Sequence, residues 1–147
     1  MSIRIKVQVE GDRELRAALR RLGPAGVPAA KRVFARFTGR VVPRARSLAP
    51  VEPEDGGALR DSVRETRPTL TSKGVVSVAV VAGGTPLAGK VAATHHTYNV
   101  YATVQHEDLT LKHSHGQAKF VEIPVMQEAP LVPNELLEEL DREARKA

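Results

Sequence analysis

The chain contains no cysteine and no tryptophan, and its aromatic residues amount to only 3% of the 147 positions. The absence of cysteine excludes disulfides, thiol catalysis and every cysteine-ligated metal site, and it is typical of synthesis in a reducing cytoplasm. With so few aromatic rings, aliphatic residues and alanine must fill the interior. The sequence also lacks an apolar run near the ~20 residues that cross a bilayer, so we expect no membrane contact.

Sequence motifs for phosphate binding and for catalysis are missing as well. Neither Gly56-Gly57 nor Gly83-Gly84 is followed by Lys-Ser/Thr, and there is no Gly-x-Ser-x-Gly. The five histidines all lie within residues 95–115, beside Glu107 and Asp108, but their spacing fits no standard zinc site. We therefore expect no enzyme, no cofactor and no metal. An enzyme with a histidine–carboxylate metal site is our third hypothesis.

The net charge of +5 is unevenly distributed along the chain. Residues 1–67 hold 15 lysines and arginines against 8 acids, whereas residues 68–147 hold 7 against 9. This division is compatible with a solvated helical surface, with nucleic-acid contact or with acidic protein neighbours. Residues 13–46 alone contain ten cations and one acid. A nonspecific DNA-binding protein that uses the basic helical region 13–46 is therefore our alternative function, although no aromatic residues interleave with these cations.

Period-two alternation predicts the strands. Residues 3–9 alternate β-branched and polar side chains, which favours a strand with one wet face rather than a signal peptide. Residues 64–70 and 75–82 are predicted to form a β-hairpin around residues 71–74. Residues 98–105 are expected to add a further strand, although the stretch 95–107 is also compatible with a helix.

Helical periodicity and breaker residues predict the remaining elements. Asp12 is a candidate cap for a short helix that stops at Gly23-Pro24, and a longer basic helix should run from Pro28 to Leu48. Gly39 weakens this second helix and Pro43 should kink it, with two separate helices as the alternative. Its apolar stripe is the set Phe34, Phe37, Val41, Ala45 and Leu48.

Two further helices are predicted near the C-terminus. Residues 118–129 show helical spacing with Pro124 inside, and Pro130 and Pro133 should end that helix. Asn134 is then a candidate cap for a last amphipathic helix. We divide the chain into a single domain, 1–132, and a C-terminal amphipathic helix or tail, 133–147. The predicted fold class is α+β, with a small, mostly antiparallel sheet packed against a long kinked basic helix and a late helix.

Four segments, read in order, resemble one protein family. They are ARSLAPV at 45–51, GALRDSV at 57–63, YATVQHE at 101–107 and GQAKFVE at 116–122. Their order and spacing resemble the pattern of tailed-bacteriophage neck proteins, which are tail-completion or head–tail joining proteins similar to the lambda-type minor tail protein Z. The resemblance covers roughly residues 12–130.

This resemblance implies a structural role in the virion, at the neck between head and tail, after synthesis in the host cytoplasm. Copies would assemble into a homo-oligomeric ring, expected to be a hexamer, and the genome DNA would pass through its lumen with transient contacts. The implied partners are a head-side connector or stopper protein and a tail terminator or tail tube protein. No catalytic residues are implied. Strand edges such as residues 4–9 and the loops 83–93 and 108–116 would serve the contacts.

The first group of candidate interface residues flanks the loop between the first two motif segments. Arg46, Pro50, Leu59 and Arg60 are candidates for shaping a loop that contacts a neighbouring ring. The alternative is that Leu59 belongs to the core and the arginines are solvated.

The second group lies in the other two motif segments. Tyr101, His106 and Glu107 are candidates for a polar interface cluster. Alternatively, Tyr101 packs internally and His106 serves a local hydrogen-bond network. Lys119 should lie at the surface beside Phe120, which we expect to anchor the late helix.

Four arginines that recur every fourth residue form a basic ridge on the long helix: Arg32, Arg36, Arg40 and Arg44. Either DNA in the lumen or acids on a partner protein would neutralise this arginine ridge. We favour the partner, because tight phosphate contacts would retard the passage of DNA.

Overall fold

The computed structural model describes residues 3–8, 13–51, 56–70, 76–83 and 98–146. It shows an α+β fold in which an antiparallel sheet packs with a long helix and a late helix, as predicted. The strands are β1 (Ile3–Gln8), β2 (Arg64–Glu65), β3 (Thr69–Leu70) and β4 (Val76–Ala82). The helices of the described residues are α1 (Arg13–Leu22), α2 (Gly26–Leu48), α3 (Ala58–Ser62), α4 (Tyr98–Glu107), α5 (Glu122–Glu128) and α6 (Val132–Ala144).

Strand β4 is the centre of the sheet. It pairs antiparallel with β1 on one side and with β2 and β3 on the other. In β1, Ile3 is buried against the core while Arg4 and Lys6 are exposed, so the predicted wet face is confirmed. Every residue of β4 after Val76 is buried, which explains its nearly continuous apolar sequence.

The other arm of the predicted hairpin is interrupted. Residues 64–70 form two short strands, because Pro68 lies between them and has no N–H to give to a ladder. Thr66 maintains the connection, since its N–H donates to the Ala79 carbonyl at 2.8 Å and its hydroxyl accepts from the Ala79 N–H at 2.9 Å. The predicted turn at 71–74 lies outside the described residues.

The further strand predicted at 98–105 is wrong, because this segment is helix α4. Tyr101, Ala102, Gln105 and His106 are all buried, and their spacing of one, three and one residues is that of a helix face. The segment is short, so its alternating aromatic and β-branched residues also satisfied a strand pattern. The helical alternative is the one that the fold adopts.

Helix α2 is continuous for 23 residues, so the alternative of two helices is wrong. Pro43 leaves the Gly39 carbonyl without its usual helical donor. Both residues are exposed, and this carbonyl can therefore bond to water. The predicted apolar stripe faces the core: Phe34, Phe37, Val41 and Ala45 are at most 1% exposed, and Leu48 is half-buried.

The two late helices begin at different residues from those predicted. Residues 118–121 form turns and α5 starts at Glu122, which places Pro124 in the first turn, where a missing N–H costs little. Pro133 likewise starts α6 instead of ending a helix, so Asn134 lies inside the first turn and is not the cap. Leu136 and Leu140 of α6 belong to the same core as α2. No helix among the described residues has the length and apolarity to cross a membrane.

Candidate functional site

The arginine ridge of α2 is paired with glutamates of α5 and α6. Arg32 donates from Nε to Glu139 Oε1 at 2.8 Å and from Nη2 to Glu143 Oε1 at 2.6 Å. The other three arginines continue this row. The contacts are Arg36–Glu139 at 3.0 Å, Arg40–Glu128 and Arg40–Glu135 at 2.7 Å each, and Arg44–Glu128 at 2.9 Å.

Glu139 is the most buried carboxylate of this row, with a side chain only 4% exposed. Besides Arg32 and Arg36, it accepts a hydrogen bond from Arg142 at 2.8 Å. The hydrogen bond from Arg32 holds the pKa of Glu139 below its ordinary value, and burial opposes this shift only in part. Glu139 is therefore ionised at neutral pH and fixes α6 against α2.

The ridge meets acids, as expected, but these acids belong to the same chain and not to a partner. Four arginines of the basic first half pair with glutamates of the acidic second half within one molecule, so the ridge is not an unpaired cationic surface. Their order also fixes direction: Arg32 pairs near the end of α6 and Arg44 pairs with α5. The chain from α5 to the end of α6 thus runs antiparallel to α2.

All four candidates beside the first loop have contacts within the chain. Arg46 donates from Nε and Nη2 to the Val63 carbonyl at 3.0 and 2.8 Å. Leu59 is fully buried, as in the alternative interpretation, and Pro50 is also buried. Arg60 is exposed and pairs with Asp61 at 2.8 Å. Loop residues 52–55 lie outside the described residues.

Gly116 permits a close backbone contact at the end of α2. The Gln117 N–H donates to the Leu48 carbonyl at 2.9 Å, and the Val51 N–H donates to the His115 carbonyl at 3.4 Å. Between these bonds, Gly116 has a φ of +87°. A Cβ placed there would lie 2.6 Å from backbone atoms of Ala49, so only glycine fits without movement.

A polar cluster joins the end of α4 to the start of α5. His106 is 1% exposed, its Nδ1 lies 2.7 Å from Glu107 Oε1, and its Nε2 accepts from the Glu122 N–H at 3.4 Å. Burial lowers the pKa of His106, while the hydrogen bond to Glu107 acts in the opposite direction. His106 is therefore neutral at pH 7, and its contacts assign the proton to Nδ1. The ring also meets Phe120 edge to face, with centroids 5.1 Å apart.

Lys119 supplies the positive charge of this cluster. Its ammonium contacts Glu107 and lies 3.0 Å from Glu122 Oε2, while its N–H donates to the His106 carbonyl at 2.8 Å. The hydrogen bond to Glu107 raises the pKa of Lys119. His106, Glu107 and Glu122 present ligand atoms close enough together for a metal ion. The Lys119 ammonium already pairs with both carboxylates, so the cluster acts as a structural link between α4 and the start of α5.

The structure thus brings together two of the three predicted cluster residues, His106 and Glu107, and adds Lys119, which was predicted only to lie at the surface. Tyr101 is 2% exposed and belongs to the apolar core, as in the alternative interpretation. Glu122 was missed, although its position three residues after Lys119 on a helical turn is a recognisable pairing signal. His113 and His115 lie in the loop after α4, and His95 and His96 are outside the described residues.

Sequence reasoning also missed the exposed apolar side chains, because exposure depends on tertiary packing. The most exposed of the large ones are Leu109 at 74% and Met126 at 67%. An apolar surface cavity between α1 and α6 was missed for the same reason. No family model, curated protein or solved structure matches this chain.

Proposed function

We propose that this chain is a structural protein of the head–tail junction of a tailed bacteriophage. In this role it assembles as a ring at the neck, joins or completes the tail, and lets the genome pass. It is not an enzyme and needs no cofactor. It acts by contacting other proteins: neighbouring copies, a head-side connector or stopper, and a tail terminator or tail tube protein.

The observation that carries this proposal is that all four family-like segments meet in one place. Arg46 of the first segment binds the carbonyl of Val63 in the second. Gly116 of the fourth segment lies against Ala49 of the first, and Lys119 binds the carbonyl of His106 in the third. We call this arrangement the motif junction. A pattern of residues dictated by such backbone contacts is what a family of structural proteins would share.

The state of the polar groups also supports a structural role. His106 is buried and neutral, and both carboxylates beside it are paired with Lys119. The arginine ridge is paired with glutamates of its own chain. A subunit whose ridge is neutralised in this way would hold passing DNA weakly, because few phosphate contacts would form there.

The test is to locate the chain in particles of a phage that encodes it. Electron microscopy of purified particles, with a tag fused after residue 147, should show density at the neck in a ring of copies. A null phage supplied with the untagged chain is the control for tag-dependent assembly. Absence of the chain from purified particles overturns the proposal.

DNA binding is the second candidate, and the exposed arginines of α1 are the observation that favours it. Arg13, Arg20 and Arg21 of α1 are exposed, and none of the ion pairs among the described residues includes them. Changing all three to glutamine should lower the salt slope of duplex DNA binding by about 3. The matched control is the triple change of Arg67, Lys112 and Arg145 to glutamine, which removes the same charge from other exposed sites. Equal slopes for both variants exclude α1 as the DNA contact.

A further inference from the structure

Leu109 is an apolar side chain presented to solvent by a defined turn. It follows α4 directly and is 74% exposed. The Asp108 carboxylate accepts from the Thr110 N–H at 2.9 Å and from the Thr110 hydroxyl at 2.6 Å, so the turn is held by its own hydrogen bonds. Leu111, two residues later, is 37% exposed. The hydrogen bonds thus fix two leucines at the surface, where they are available for a protein contact.

A cavity of matching character lies between α1 and α6. Its volume is about 160 Å³, and its lining is Ala18, Arg21, Leu22, Leu140, Asp141 and Ala144. Apolar side chains form most of this lining, and the two charged residues are exposed. An apolar cavity of roughly 150 Å³ can hold a benzene molecule, so this cavity has room for the end of a leucine side chain.

The turn and the cavity lie at opposite ends of α2. The loop that carries Leu109 is bonded to Leu48 at the C-terminal end of α2. The cavity is lined by the last turns of α6, where Glu143 binds Arg32 in the N-terminal part of α2. Helix α2 is 23 residues long, which is about 34 Å. Leu109 is therefore far from the cavity of its own chain, and only another copy can bring a cavity to it.

The charges around the two features are complementary. Asp108 and Lys112 flank the exposed leucines, and the cavity carries Arg21 and Asp141. Docking the turn into the cavity can bring Asp108 to Arg21 and Lys112 to Asp141. Two copies of the same turn can also pair Asp108 with Lys112 about a two-fold axis, but neither turn offers a cavity for the leucine of the other. The complementarity therefore favours a second copy that presents its cavity.

We infer that Leu109 of one copy inserts into the cavity between α1 and α6 of the next copy. Such a contact joins two different surfaces, so it is head-to-tail, and successive contacts close into a ring when the rotation permits. The inference rests on the proposed ring and names the surfaces that build it. The contacts between copies would then lie near the two ends of α2, and the arginine ridge would take no part in them.

The test uses the absence of native cysteine from the chain. The full-length double variant Leu109→Cys with Ala144→Cys places one thiol on the turn and one at the cavity. Mild oxidation should give a ladder of disulfide-linked multimers on a non-reducing gel, because each copy is linked to two neighbours. Each single variant should stay monomeric, since a head-to-tail contact then contains one thiol only. The matched control is Met126→Cys with Ala144→Cys, which should give no ladder.

A second measurement does not depend on thiol geometry. Leu109→Asp should weaken self-association roughly 10-fold to 100-fold in sedimentation velocity, because one buried leucine side chain is lost from the contact. Met126→Asp should leave association unchanged, since Met126 is comparably exposed at another site. Both are surface changes and should preserve the circular dichroism spectrum.

The outcomes separate this inference from the proposed function. Dimers from Leu109→Cys alone indicate a symmetric contact and overturn the inference. A chain found at the neck, with no ladder from the double variant and no effect of Leu109→Asp, also overturns it but leaves the proposed function standing. A ladder from a chain that is absent from particles supports the contact and overturns the function.

Discussion

Replacing Gly116 with alanine adds one methyl group at the motif junction and so tests the close backbone contact there. Gly116 has a φ of +87°, and the added Cβ would lie 2.6 Å from the carbonyl carbon and oxygen of Ala49. Neither neighbour is the flexible end of a side chain, so backbone must move. That movement would also disturb the bonds from Gln117 to Leu48 and from Val51 to His115.

The cost follows from two contributions. A left-handed backbone costs alanine about 1–2 kcal/mol relative to glycine, and relief of the overlap costs a further ~1–3 kcal/mol. We expect Gly116→Ala to lower the free energy of unfolding by about 3.5 kcal/mol, the sum of the middles of these ranges. For a chain of this size, the melting temperature should fall by roughly 7–14 °C.

The matched control is the same chemical change at Gly39. This glycine lies in the interior of α2, is exposed, and has nothing within 4 Å of an added Cβ. Gly39→Ala should therefore raise the free energy of unfolding by about 0.5–1 kcal/mol. Urea unfolding followed by circular dichroism measures both variants, and equal m values show that the denatured states are comparable. If Gly116→Ala lies within ~0.5 kcal/mol of the wild type, the limit for a neutral surface change, the close contact is refuted.

Three further predictions concern the polar networks. Glu139→Gln should lower the free energy of unfolding by about 1–2 kcal/mol. The control Glu138→Gln, on the exposed side of α6, should leave it unchanged in urea unfolding. Equal effects of the two substitutions would show that the ion pairs of Glu139 do not stabilise the contact between α2 and α6. Because the pKa of Glu139 is depressed in the folded state, its stabilisation is complete above the unfolded value near ~4.3 and is lost as pH falls below it. The difference in free energy of unfolding between wild type and Glu139→Gln should therefore shrink in acid. A difference that stays constant with pH would contradict the lowered pKa of Glu139. Lys119→Asn should raise the pKa of His106 in an NMR titration, because the ammonium lowers that pKa, and an unchanged or lower pKa would disprove the coupling.

Local periodicity was sufficient for the elements with one clear pattern. The alternation that begins at Ile3 predicts β1, and the stripe through Phe34 and Phe37 predicts α2 with its buried face. In each case one face is buried and the other is wet, so the sequence period reflects the geometry directly. Helix α4 has no single clear pattern, because its short apolar stretch fits both the period of a strand and the period of a helix.

The prolines show a second limit of predicting helix boundaries from local sequence. Pro133 was interpreted as the end of a helix, but it occupies the second position of α6. The absence of an N–H has the same local signature in both cases, and only the following helical turn distinguishes a start from a stop. The error at Asn134 follows from the same ambiguity.

The candidate site depends on contacts that no local pattern contains. The spacing of the arginine ridge is visible in the sequence, but its acidic partners lie between 84 and 111 residues away. Gly116 is required by a backbone that approaches from residue 49, and nothing adjacent to it indicates that approach. The exposure of Leu109 and the cavity between α1 and α6 likewise arise only when the helices are packed. Sequence reasoning therefore identified the spacing of the ridge but favoured a partner protein as the source of its acids, whereas the acids lie in the same chain.

The most direct measurement of the central claim is to find where this chain is located in an assembled phage. Cryo-electron microscopy of purified particles that encode the chain should resolve several copies encircling the channel between the portal side and the tail tube. Particles that are complete, infectious and free of this polypeptide would contradict the account.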